Sequence, residues 1–84
     1  MSPTFPEPSL SVLVTQLATQ ALLQLGEAPN PLTGVAEVSL PRAAFTIDLL
    51  RVLEDKTRGN LDPAEQELLE ATLDRLKQRY AEKA

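Results

Sequence analysis

Asp48, Glu54 and Asp55 are the acids that a general acid–base pair would draw on in the middle of this chain. Such catalysis needs two carboxyl groups converging in a concave pocket that shifts their proton affinities. A helical chain of 84 residues has little room for that pocket. Arg51, Arg58 and Arg75 offer these acids ordinary ion-pair partners instead. Composition removes most other chemistry. Without Cys there is no disulfide, thiolate nucleophile or thiolate metal site. Without His, zinc, haem and most transition metals lack their usual ligand. No glycine-rich phosphate loop, nucleophile elbow or metal-ligand spacing is present either. The expectation is a protein that is not an enzyme and holds no cofactor and no metal.

The cations give a similar answer. Lys56-Thr57-Arg58-Gly59-Asn60 resembles an anion-binding turn, but cations at a helix C-terminus answer the helix dipole, and Gly59 suits the left-handed cap. Arg75, Lys77, Arg79 and Lys83 are interrupted by Asp74 and Glu82 and spread around a helix at about 100° per residue. That is the pattern of a solvated face. The formal charge of −4 opposes phosphate backbones and anionic lipid. Nucleic acid and membrane are therefore not expected as partners.

Three helical segments must carry these residues. Ser9 caps the first, which runs to about Leu25, with Gly26 at the left-handed position beyond it. Leu10, Leu13, Val14, Leu17, Ala18, Ala21, Leu22 and Leu25 form one broad apolar face. A loop over Glu27–Val38 follows, with a turn at Pro31-Leu32-Thr33-Gly34. Its length suffices to cross the domain. The second helix starts after Ser39, has Pro41 in its first turn and ends near Thr57 or Arg58. Phe45, Leu49, Val52 and Leu53 give it an apolar stripe that Ala43, Ile47 and Leu50 widen. Asp62-Pro63-Ala64-Glu65 is a capping box that opens the third helix, which runs to about Tyr80. Leu69, Leu73, Leu76 and Tyr80, with Leu68 beside them, form its inner face.

The short Gly59-Asn60-Leu61 link predicts an antiparallel hairpin of helices 2 and 3. In that register Leu53 meets Leu68 or Leu69, Leu49 meets Thr72 or Leu73, and Phe45 meets Leu76. Asp48 falls near Arg75, and Arg51 near Glu70. The fold class is all-α: a three-helix protomer over residues 9–84, preceded by a Pro-rich arm over residues 1–8, which is either an unordered tail, the favoured reading, or pinned to the body by Phe5.

Charge is distributed unevenly. Nineteen consecutive residues, Pro8 to Gly26, carry none. A helix on the surface of a small soluble protein normally has charge on its outer face. The run is short for a bilayer: about 25 Å of helix against roughly 30 Å of hydrocarbon. It also holds Gln16, Gln20 and Gln24, and no Lys or Arg flanks it. The residues before Ser9 lack the cationic start of an export signal, so the cytoplasm is the expected location. A small core without disulfide or metal gains most from oligomerisation. Helix 1 is either the central helix of a monomer or part of an interface. The second reading makes the protein its own partner, as a homodimer or higher homo-oligomer, with Val12, Leu13, Thr15, Gln16, Leu17, Thr19, Gln20 and Leu23 in the contact. The alternative function is a small accessory subunit docking on an enzyme or an RNA–protein complex.

Several segments also resemble a bacterial family catalogued only as a domain of unknown function, DUF1844. They are Leu17-Ala18-Thr19-Gln20-Ala21-Leu22 with Leu25-Gly26, Pro29-Asn30-Pro31 with Gly34, and Thr46-Ile47-Asp48-Leu49-Leu50. Lys56-Thr57-Arg58-Gly59-Asn60-Leu61, Glu67-Leu68-Leu69 and Arg79-Tyr80 continue the set. The resemblance implies a short, stand-alone bacterial protein and brings no activity, ligand or site.

Overall fold

The computed structural model describes residues 5–84. Residues 1–4 of the expected arm lie outside them. Three α-helices follow in order: α1 over Leu10–Gln24, α2 over Leu40–Thr57 and α3 over Pro63–Lys83. The described residues contain no extended strand, only an isolated antiparallel bridge between Leu25 and Val38. The fold is all-α.

Local chemistry sets each boundary. The Ser9 side chain accepts from the Val12 amide at 3.2 Å and opens α1. At the other end the Gly26 amide donates to the Leu23 carbonyl and the Glu27 amide to the Leu22 carbonyl, a complete Schellman closure. Gly26 makes it possible with φ at 73°. α3 opens on the expected capping box. The Glu65 amide donates to Asp62 Oδ1 at 2.8 Å, and the Asp62 amide donates to Glu65 Oε1 at 3.0 Å. This helix runs past Tyr80 to Lys83.

The loop does not cross the domain. Its ends are tied together by the Leu25–Val38 bridge and by the Ser39 amide, which donates to the Gln24 carbonyl at 2.7 Å. Gly26 turns the chain back at once, so α2 begins where α1 ends. The turn is built on Asn30, one residue before the expected Pro31. The Asn30 carbonyl accepts from the Thr33 and Gly34 amides, and its side chain accepts from the Leu32 amide at 2.8 Å.

Each helix packs on the other two. Val14, Ala21 and Leu25, then Ala43, Ile47 and Leu50, then Leu69, Leu73 and Leu76 make one buried cluster. Leu10, Leu17, Ala18, Leu22, Leu53, Leu68 and Tyr80 pack around it. Among the described residues the one buried polar side chain, Thr46, is satisfied: its hydroxyl donates to Gln24 Oε1 at 2.6 Å, with the Arg42 carbonyl 3.2 Å away.

The expected inner stripe of α2 is corrected here. Phe45 is 64 %, Val52 55 % and Leu49 38 % exposed, and the core is met by Ala43, Thr46, Ile47 and Leu50. Phe45 and Leu49 are therefore not core partners of Leu76 and Leu73. α2 has apolar residues on two sides, and the core took the side where Ala43 permits close approach. The rotation also removes the expected cross-helix ion pairs. Arg51 pairs with Asp48 on its own helix at 3.5 Å, and Glu70 accepts from Gln66 at 2.7 Å. Among the described residues the ion pair that joins distant segments is Arg79 with Glu27, at 3.7 Å.

The molecule is thin. Its Cα extents are 41 × 38 × 16 Å and its radius of gyration is 13.9 Å, against about 12 Å for a compact chain of this length. Its accessible surface is 6032 Å², whereas a compact 9.2 kDa monomer has about 4,900 Å². The exposed arm and the exposed loop hold part of the excess.

Candidate functional site

The three outward helix faces differ in chemistry. On α3 the outward residues are Glu67, Ala71, Asp74, Arg75, Gln78 and Glu82, an ordinary solvated face. α1 offers no charge at all. Thr15, Gln16, Thr19 and Gln20 are exposed, Leu13 is 42 % exposed, and Val12 and Leu23 are partly buried. Thr15 donates its hydroxyl to the Ser11 carbonyl and Thr19 to the Thr15 carbonyl, each at 2.9 Å. Those hydroxyls are thereby spent on the helix itself, so both residues can be covered by an apolar surface at little cost.

Seven of the eight residues expected in an interface, Val12, Leu13, Thr15, Gln16, Thr19, Gln20 and Leu23, lie on this outward side or its edge. Leu17 does not: it packs against the core. Leu13, like Leu17, was expected both on the apolar face and in the contact, and it is 42 % exposed. The first turns of this face are also shared with the arm, since Phe5, Pro6 and Pro8 line a shallow groove with Val12, Leu13 and Gln16. Phe5 itself stays 79 % exposed, so it does not pin the arm into the body.

α2 carries the surface that sequence reasoning assigned elsewhere. Phe45, Leu49 and Val52 follow i, i+4, i+7 spacing and span about 60° of the helix, on the side away from the core. Arg42 and Lys56 close the two ends of this stripe, and Asp48 and Asp55 border one edge. The spacing was visible in the sequence. The signal for its outward direction was the second set, Ala43, Ile47 and Leu50, which leaves the stripe free once it is chosen as the core.

Two hydrogen-bonded side chains show how these faces adjoin. Thr46 bonds Gln24 and so marks the flank of α2 that meets α1. On α1, Leu13 and Gln20 lie within about 40° of Gln24 around the helix; on α2, Leu49 lies about 60° from Thr46. The half-exposed Leu13 and Leu49 thus border the same α1–α2 seam.

A groove of about 400 Å³ opens between α2 and α3, lined by Ala44, Ile47, Asp48, Arg51, Lys77 and Tyr80. Its single carboxylate, Asp48, is already paired with Arg51, so it does not supply the converging acids that general acid–base catalysis requires. Among the described residues no cluster of His, Cys, Asp or Glu is arranged to hold a metal ion. No helix there is long and apolar enough to cross a membrane.

Residues 7–82 match the model of a family described as a domain of unknown function, DUF1844. No curated protein and no solved structure matches the chain.

Proposed function

Because the chain belongs to the DUF1844 family, which brings no activity with it, we propose from the physical character of the surfaces that this is a non-catalytic interaction module that works as a homo-oligomer. One observation carries the reading: Phe45, Leu49 and Val52 remain exposed on α2 although the protomer core is complete without them. Contiguous exposed apolar surface marks an interaction site more often than chance. The occupant in this reading is a second copy of the chain. The chain exposes 6032 Å², of which a stable dimer would cover roughly 800 Å² per partner. A dimer is the simplest closed assembly. Within each protomer α2 and α3 form an antiparallel hairpin, which the five-residue link between them favours.

A second reading, an accessory subunit that docks on another protein, draws on the open α2–α3 groove with its Arg51, Lys77 and Tyr80 lining. Light scattering across micromolar concentrations separates the two. Self-association returns a multiple of 9.2 kDa. A monomer mass throughout rejects the homo-oligomer and leaves the groove as the surface to pursue.

A further inference from the structure

We infer that two copies stack α1–α2 layer on α1–α2 layer about a two-fold axis, the α2 stripe of each seated on the uncharged face of α1 of its partner. The inference rests on the self-association proposed above and specifies its geometry. Charge selects it. The stripe of Phe45, Leu49 and Val52 is bounded at both ends by cations, Arg42 and Lys56. If two such stripes paired antiparallel about Leu49, Arg42 would oppose Lys56 of the other copy, twice. If they paired parallel, Arg42 would oppose Arg42 and Lys56 would oppose Lys56. Either arrangement sets like charges together at the rim of an apolar contact, which disfavours it.

The outward face of α1 has no such conflict, because it carries no charge from Pro8 to Gly26. Acids bound that run, Glu7 before it and Glu27 after it, and they complement the cations at the ends of the α2 stripe. Glu27 is held near Arg79 within its own protomer, which leaves Glu7 as the freer of the two. The lengths agree as well. Arg42 to Lys56 spans about 21 Å of helix and Leu10 to Gln24 about as much. The bulk is complementary, with the large Phe45 and Leu49 facing the flatter Gln16 and Gln20 surface beside Leu13.

A two-fold axis satisfies both faces in one closed contact, since residue i meets j and j meets i. It also explains the placement of charge across the protomer. α1 and α2 border a common seam on one side, while α3, with its charged outward face, stays in solvent.

The chain has no Cys, so introduced pairs report geometry without background. Chains carrying Leu49→Cys and chains carrying Leu13→Cys, Gln16→Cys or Gln20→Cys are given different tags, refolded together and oxidised. All four positions are exposed, and circular dichroism checks that each variant keeps its helices. The expected result is a mixed disulfide between Leu49→Cys and at least one α1 variant, exceeding the Leu49→Cys self-disulfide several-fold. A wild-type dimer in which Leu49→Cys links chiefly to itself overturns this geometry and leaves self-association standing. A dimer that forms neither link also overturns it. A wild-type monomer removes both proposals.

Discussion

Gly26 is the position where one added carbon should do most harm for its size. Its φ is 73°, and an added Cβ would lie 2.7 Å from Val38 Cγ2. Gly34 has nearly the same φ, 72°, and nothing within 4 Å of the corresponding point. The pair separates backbone strain from crowding. Left-handed backbone costs an L residue about 1–2 kcal/mol, and Gly→Ala returns about 0.4–1 kcal/mol by stiffening the unfolded chain. Gly34→Ala should therefore cost about 0.5–1 kcal/mol net. Gly26→Ala bears the same net strain plus a crowding cost of about 1–2 kcal/mol, for a total of about 1.5–3 kcal/mol. The bridge holds the Val38 backbone in place, so relief requires its β-branched side chain to leave its χ1 rotamer. Urea unfolding followed by far-ultraviolet circular dichroism, at one fixed protein concentration, measures all three chains. Val38→Ala in the Gly26→Ala background should recover about 1 kcal/mol, the crowding share. Equal losses for Gly26→Ala and Gly34→Ala, or strict additivity with Val38→Ala, would refute the packing argument for the loop closure.

Two further substitutions probe the core. Leu50→Ala removes a fully buried side chain and should cost about 2–5 kcal/mol, while Phe45→Ala should change protomer stability by less than about 1 kcal/mol because its ring is already in water; denaturant midpoints on dilute protein compare them, and equal losses would place Phe45 in the core. Thr46→Val strips Gln24 Oε1 of its buried donor and should cost about 1–2 kcal/mol; adding Gln24→Leu should restore part of that, and a neutral Thr46→Val would show that water replaces the bond.

Much of this architecture was legible because its signals are local. Ser9, Gly26, Asp62 and Glu65 act within one turn of a helix end, where the orphan amides and carbonyls have few alternatives. The bounds of α1 and α2 therefore fall within about a residue of expectation. The rotation of α2 was not legible, for a physical reason. Phe45, Leu49 and Val52 outweigh Ala43, Ile47 and Leu50 in bulk, so a reading by hydrophobicity points the wrong side inward. What decides the matter is tertiary: a small Ala43 where helices approach, and a Thr46 that can bond Gln24. Leu13 and Leu17, expected on the same face and in the same contact, part for a related reason. They lie on the two edges of one broad apolar face, and only the positions of α2 and α3 determine which edge is covered. Loop closure was hidden too, because the Gln24–Ser39 hydrogen bond joins residues that the sequence separates by a long turn. The lack of charge on α1 was readable from the start; the stripe on α2 that complements it became visible only once the core was known.

The central claim is that the outward apolar side of α2 is a contact between copies. Sedimentation equilibrium on the wild-type chain and on Phe45→Glu at micromolar concentration tests it most directly. Phe45 is 64 % exposed in the protomer, so the substitution should leave the helices intact. The account predicts twice 9.2 kDa for the wild type and 9.2 kDa for the variant, with the same helical signal from both. A wild-type mass of 9.2 kDa throughout that range, or a variant that associates as tightly as the wild type, would contradict it.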